Sequence, residues 1–474
     1  MRIVPKPNHL TLYESKCFFD ENMYHEKLVS GLGEDEYILE ATFGGGVTLS
    51  AGSEKALFYG RCTFEQIRCE YGTVLPAFRI EDKPVFGYRA FMIDCSRHFF
   101  SVEELKRIID SMALLKFNVF HWHLADDQGW RIECEKYPEL HEKASVRESS
   151  DFGGVHINKP YGGYYTVAQL RDIVEFCKDR YIDVVPELDV PGHCSALLSV
   201  MPELSCRGGR TRVQTHQGIF DGVLCPAKDR VYEVLEDIFQ MLFEIFPFGY
   251  YHIGGDEAPR KNWSECPDCR KLMEQLGIDS FDEYQLYFMN RIIELIGKAG
   301  KTAIVWNDCL KSDGLDKSAV VQHWMINGKG KSATVKWANA GRKVILSPLD
   351  RYYMDYPYGM TSLKKVYNYK IGIKGFDLRG RESVLGVECP AWTEYIDDNT
   401  SLEQMFFPRA LAVADAGWCG NEDKNFRKFL KDIKIPLRLI KRKGVHYMPR
   451  REWVPGIISS VVQAVKFAVR GLKK

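Results

Sequence analysis

The chain has 474 residues, 45% of them hydrophobic and 27% charged, a length for one large domain with attachments and a composition that excludes disorder and collagen-like repeats. Its 64 basic and 64 acidic residues balance, so no overall field points to nucleic acid as a partner. The balance hides a split: residues 424–474 carry 15 Lys or Arg against only Asp432 and Glu452, which leaves the body mildly acidic and the tail basic.

In chain order, Tyr37–Thr42 and Gly46–Leu49 alternate around a triple glycine like a hairpin, and residues 52–70 hold a helix. Residues 1–85 therefore read as a small α+β domain with too little core to stand alone. From residue 86 onward short apolar runs alternate with amphipathic stretches. The predicted strands are Ala90–Asp94, Asn118–His123, Asp183–Leu188, Tyr250–Ile253, Thr302–Trp306, Ala319–Trp324, Lys343–Leu346 and Val384–Glu388, each β-rich and too short for a helix. A capping box, Ser101 to Glu104, opens the first intervening helix. Others are predicted over Thr166–Arg180, Arg230–Phe246, Asp282–Lys298, Ser332–Ala340 and Leu402–Ala416. Eight strand–helix units fit a closed α/β barrel, the (β/α)₈ or TIM barrel, over residues 86–423. An open doubly wound sheet would place a Gly-rich phosphate loop after its first strand, and none follows Asp94.

The basic C-terminal extension, 424–474, ends in a predicted helix with Ile457, Ile458, Val461, Val465 and Ala468 on one face. Docking of that stripe on the barrel or on a second copy of the chain is the favoured reading, with contact to an anionic membrane surface as the alternative. No run of 18 apolar residues occurs, and the first residues show no secretory h-region. The expectation is a cytoplasmic protein whose fourteen cysteines are free thiols. Cys266-Pro-Asp-Cys269 has zinc-knuckle spacing, but no second pair and no nearby His pair completes four ligands in the sequence, so neither metal nor organic cofactor is expected.

In such a barrel the reactive groups stand at the C-terminal ends of the strands. Those ends carry Arg97 and His98, Asp126 and Asp127, Asp189 and His193, Asp256 and Glu257, then Trp306, Trp324, Tyr353 with Asp355, and Trp392 with Glu394. Carboxylates, one arginine and aromatic faces on one rim suit a sugar, because indole rings pack on pyranose faces and carboxylates accept hydroxyl hydrogen bonds. Asp256 and Glu257 are adjacent, so their side chains diverge in extended chain and are poorly placed to face each other across a glycosidic bond. Structural roles compete at each position: Arg97 pairing with Asp94, His121 and His123 as barrel-layer or rim residues, and the tryptophans as core.

Four segments occur in order: residues 87–100 (Gly-Tyr-Arg-Ala-Phe-Met-Ile-Asp-Cys-Ser-Arg-His-Phe-Phe), 118–131 (Asn-Val-Phe-His-Trp-His-Leu-Ala-Asp-Asp-Gln-Gly-Trp-Arg), 186–193 (Pro-Glu-Leu-Asp-Val-Pro-Gly-His) and 252–258 (His-Ile-Gly-Gly-Asp-Glu-Ala). With them the chain resembles the family 20 glycoside hydrolases, the β-N-acetylhexosaminidases, over roughly residues 37–420. The resemblance implies an exo-acting enzyme that releases terminal GlcNAc or GalNAc from an oligosaccharide or glycoside by a retaining, substrate-assisted route. Glu257 would be the general acid and base, Asp256 would orient the acetamido N–H, and Tyr353 would hold its carbonyl, with Tyr352 and Tyr356 as neighbouring alternatives. Asp126 and His193 match a buried relay to the acid. Arg97, Asp355 and Glu394 would bind hydroxyls, and Trp306, Trp324 and Trp392 would wall the pocket. Ala90 and Asp415 depart from the family's usual Gly and Glu. Two other readings stand beside this one, a disaccharide-releasing lacto-N-biosidase and a non-catalytic sugar-binding barrel.

Overall fold

The computed structural model describes residues 1–44, 46–209, 211–421 and 424–472. Its N-terminal sheet has five strands, β1 (His9–Phe18), β2 (Tyr24–Leu28), β3 (Tyr37–Thr42), β4 (Gly46–Ala51) and β5 (Val74–Asp82), in the order β1-β5-β3-β4-β2. Only the β3–β4 hairpin is legible from alternation; β1 is almost wholly exposed and so lacks an apolar period. Helix α1 (Glu54–Tyr71), capped by Ser53, lays Ala56, Leu57, Phe64 and Ile67 into this domain's core.

Eight parallel strands then close on themselves: β6 (Tyr88–Asp94), β7 (Val119–Asp126), β8 (Asp183–Leu188), β9 (Tyr250–His252), β10 (Thr302–Trp306), β11 (Val320–His323), β12 (Val344–Leu346) and β13 (Val384–Ala391). Each pairs with the next, β13 pairs with β6, and the β7–β8 pairing completes the ring. All eight predicted strands are present, with ends displaced by a few residues. The capping box at Ser101 and a second at Thr166 start the helices Val102–Leu114 and Val167–Lys178. The single helix expected over Leu402–Ala416 is instead two, Asn399–Phe406 and Arg409–Cys419. Pro408 lies between them, and a proline has no N–H for the helical ladder and clashes with the preceding turn.

The barrel interior is layered. Side chains two apart on a strand share a face, and the lowest inward layer is apolar: Tyr88, Ala90, Val119, Val185, Ile304, Val320 and Ile345. The layer above is polar, with His121, Glu187, His252, Gln322 and Glu388 all fully buried. The rim groups stand on this polar layer.

The first half of the basic tail belongs to the core. Helices Phe426–Asp432 and Lys434–Arg442 bury Phe429, Ile435, Leu437 and Ile440, and Lys443 reaches Asp110 at 2.7 Å. The last helix, Ile457–Leu472, crosses the barrel mouth. It docks through the opposite side from the expected stripe: Gly359 N–H donates to Gln463 Oε1 at 2.7 Å, and Phe467 packs on Tyr356 and Tyr395 at 5.0 and 5.3 Å. Ile457, Ile458, Val461 and Val465 stay exposed. Polar and aromatic contacts at the rim outweigh the stripe, which no part of the described residues covers. No helix among the described residues is long and apolar enough to cross a membrane.

Candidate active site

Glycine geometry sets the central loop. β9 ends at His252, and Gly254 and Gly255 follow with φ of +62° and +93°. A Cβ on Gly254 would stand 1.7 Å from Asp189 Oδ1, and one on Gly255 2.5 Å from Cys309 Sγ. Only glycine fits this turn, and the turn carries Asp256 and Glu257 onto the rim. Glu257 itself has φ of +46°, and His193, at the facing loop, +51°. Non-glycine residues held there store backbone strain that the surrounding structure must overrule.

These two loops bring His193 to the carboxylates. Its Nε2 lies 3.8 Å from both Asp256 Oδ2 and Glu257 Oε2. Its Nδ1 lies 3.1 Å from Asp126 Oδ1 and 3.3 Å from Asp127 Oδ2. Desolvation disfavours the imidazolium, but Asp126 and Asp127 outweigh it and hold His193 well above its ordinary value. Asp126 Oδ2 accepts from Arg97 at 2.8 Å and faces His123 Nε2 at 2.9 Å. Although burial pushes it up, the Arg97 and His193 charges keep Asp126 far below the usual carboxylate range.

Beneath Asp126 the chain of contacts continues. His123 Nδ1 meets Glu187 Oε2 at 2.5 Å, and Glu187 also faces His121 at 3.1 Å, His252 at 2.9 Å and the Trp306 N–H at 3.0 Å. Desolvation opposes charge on both rings, yet Glu388 and Glu187 lift His121 to about 9, and Glu187 and Asp126 lift His123 to about 10.

Burial pushes Asp256 up to about 7, with Asp308 and Glu257 adding to the shift against His193. Asp189 is raised as well, first by burial and then by the Asp256 charge, so each of the two carboxyls opposes ionisation of the other. Glu257 is likewise raised, chiefly by desolvation. A carboxyl whose proton is held more firmly by burial at a pocket wall suits a general acid.

The pocket encloses about 250 Å³. Arg97, His193, Asp256, Glu257, Trp324, Tyr353, Asp355, Trp392 and Glu394, all expected from the sequence, line it. Arg97 combines its two readings: it pairs with Asp94 and Asp126, and its guanidinium sits 5.1 Å over the Trp392 ring. Of the three tyrosines, Tyr353 and Tyr356 face the cavity, whereas Tyr352 is fully buried against Tyr369. Trp306 is not a wall residue but lies one layer deeper, its ring tilted against His252 and Trp392 and its N–H on Glu187. Asp126 lies behind His193. Trp324 is braced by Asp308, which accepts its indole N–H at 2.8 Å. Burial raises Asp355 to about 8, helped by the Glu394 charge, and burial raises Glu394 too.

Sequence reasoning missed Tyr395 and Phe467, which complete the wall. It also missed Glu187 and His252, the lower part of the network. Reading strand ends selects the rim and overlooks inward positions two residues earlier. A further grouping was missed outside the pocket: Cys206 and Cys225 lie against Cys266 and Cys269, completing the four sulfurs that the sequence alone did not assemble.

The model of the glycosyl hydrolase family 20 catalytic domain matches residues 86–421. A beta-hexosaminidase of Porphyromonas gingivalis is 35% identical over 437 residues, which cover 88% of this chain and 55% of that protein. One from Akkermansia muciniphila is 32% identical, covering 91% of this chain and 89% of the relative. A crystal structure of a beta-N-acetylhexosaminidase superposes with a TM-score of 0.86 at 30% identity, covering 95% of this chain and 97% of that one. The exo beta-N-acetylglucosaminidase of Vibrio harveyi, solved with N-acetylglucosamine, gives 0.83 at 28% identity, over 94% and 78% of the two chains. This chain thus spans about half the length of the Porphyromonas relative and most of the Akkermansia one. By its matched catalytic domain and these relatives, the chain belongs to glycoside hydrolase family 20.

Proposed function

We propose that this protein is an exo-acting β-N-acetylhexosaminidase that removes terminal GlcNAc or GalNAc by substrate-assisted, retaining hydrolysis. The observation that carries the reading is that Asp256 and Glu257 reach the same His193 nitrogen at equal distance. Two carboxylates drawn to one atom approach the sugar together rather than from opposite faces, so the nucleophile is assigned to the substrate. The 2-acetamido oxygen attacks the anomeric carbon, the glycosidic C–O bond breaks, and Glu257 gives its proton to the departing oxygen. Glu257 then takes a proton from water, whose oxygen opens the oxazolinium ring and regenerates the acetamide. Asp256 holds the acetamido N–H and balances the positive charge, and Tyr353 holds the carbonyl. A cavity of about 250 Å³, below the size that drug-like ligands need, supports one sugar ring rather than a disaccharide.

Release of nitrophenol from 4-nitrophenyl N-acetyl-β-glucosaminide and from its 2-hydroxy counterpart tests this. Turnover confined to the acetamido substrate, and abolished in Asp256→Asn, is expected. Equal turnover of both would refute the substrate-assisted route, and turnover of neither, in folded protein that binds GlcNAc, would favour a binding protein. An intracellular location is part of the proposal, because thiols scattered through an apolar core suit a reducing compartment; finding the native protein outside the cell would overturn it.

A further inference from the structure

The four cysteines lie beside the catalytic loops without belonging to the pocket. Cys206 and Cys225 come from the segment that follows His193, where an antiparallel bridge between Ser205 and Leu224 sets them side by side and Cys225 N–H donates to Leu204 at 2.9 Å. Cys266 and Cys269 come from the segment that follows Glu257. Cys266 caps the helix Pro267–Leu276, and Cys269 sits in its first turn, where free N–H groups favour a thiolate. Cys206 Sγ and Cys225 Sγ stand 3.7 and 3.5 Å from Cys269 Sγ, and all four sulfurs lie within 4.8 Å of one another.

A disulfide bond is about 2.05 Å long and joins two sulfurs. Here one sulfur has two near-equal neighbours, and the group is mutual. Tetrahedral zinc with Zn–S bonds of about 2.3 Å separates its sulfurs by about 3.8 Å, close to the spacing observed. Cys225, Cys266 and Cys269 are buried, and Val223, Trp263, Met273 and Tyr284 enclose them. The Tyr284 hydroxyl is buried without an oxygen or nitrogen partner and interacts with Cys269, the kind of outer-shell donor that tunes ligating sulfur.

We propose that Cys206, Cys225, Cys266 and Cys269 bind one structural zinc ion that ties the loop following His193 to the loop following Glu257. Four thiolates close the coordination shell, so the ion takes no substrate and performs no chemistry. Its effect is positional. Trp263, between the two halves, donates its indole N–H to Leu224 O at 2.9 Å, so the site fastens the same pair of loops that hold His193 and Glu257 at positive φ.

The test is metal analysis of the full chain, produced with zinc in the medium and purified without chelators or a metal-affinity step. About one zinc per chain is expected, with four thiols that react only after a mercurial displaces the metal. Cobalt(II) in its place should show the charge-transfer and d–d bands of tetrahedral sulfur ligation. Cys269→Ser should fall below about a tenth of a zinc per chain, whereas Cys177→Ser, a buried thiol elsewhere in the core, should keep full occupancy. Wild-type protein without bound metal, with these four thiols freely alkylated or joined as disulfides in non-reducing peptide maps, would overturn the proposal. That readout does not depend on whether the serine variant folds.

Discussion

Two buried charged clusters in this molecule are built on opposite plans. At the junction between the N-terminal domain and the barrel, Asp82 accepts from Lys116, Tyr37, Trp418 and the Asn8 N–H, at 3.0, 2.5, 2.8 and 3.0 Å. Every lone pair of that carboxylate is engaged, and the Lys116 ammonium also lies 4.1 Å over the Trp418 ring. At the barrel mouth, His193 Nε2, Asp256 Oδ1 and Asp355 Oδ1 are buried yet make no hydrogen bond among the described residues. Burying a polar group without a partner costs about 1–3 kcal/mol. A fully satisfied cluster fastens two domains together, whereas a cluster with open valences is held ready for a polar ligand.

Changing Glu257 to Gln should cut kcat by about 10²–10⁴-fold, the usual worth of a positioned general acid, with little change in unfolding. The loss should be larger on a GlcNAc disaccharide than on the nitrophenyl glycoside, whose leaving group departs without a proton; equal losses would contradict an acid role. Lys116→Met should do the reverse. It strands a buried carboxylate, and such losses run to about 3–5 kcal/mol, read as a lower urea midpoint with kcat of the folded enzyme retained.

Asp355→Asn tests the third corner. A carboxyl raised to about 8 in the folded protein binds its proton more tightly there than in the unfolded chain. Its burial is therefore harmless below about pH 4 and destabilises progressively as pH rises toward 8. The Asn variant should come closest to wild type at or below about pH 4 and exceed it by about 1–4 kcal/mol at pH 7.5, while substrate KM rises. A pH-independent difference would show that Asp355 titrates normally. The smallest effect is expected from Phe467→Ala at the edge of the pocket: a several-fold rise in KM at unchanged kcat, measured on the aryl glycoside.

Much of this contrast was readable in the residues. The barrel was, because eight β-rich runs separated by amphipathic helices follow from periodicity, and the rim residues follow from strand ends once the barrel is assumed. The Asp82 cluster was not, since it joins four residues from 8 to 418 and no local pattern marks them. The sulfur cluster escaped for the same reason, as Cys206 and Cys225 carry no paired motif. The tail shows another limit. Hydrophobic periodicity identified the helix but not the face that meets the barrel, because Gln463 and Phe467 bind specific partners at the mouth while none of the described residues covers the aliphatic stripe.

The Glu187 network has one more consequence. Through His121, His123, His252 and Trp306 this carboxylate reaches strands β7, β9 and β10 from its own strand β8. Half the circumference of the barrel is thereby indexed to a single side chain, like spokes to a hub. Surface loops other than those that carry His193 and Asp256–Glu257 can lengthen, shorten or be exchanged without disturbing that plane. Engineering of specificity in this scaffold therefore belongs above the hub, in the loops, and substitutions at its level would disturb the alignment of four strands at once.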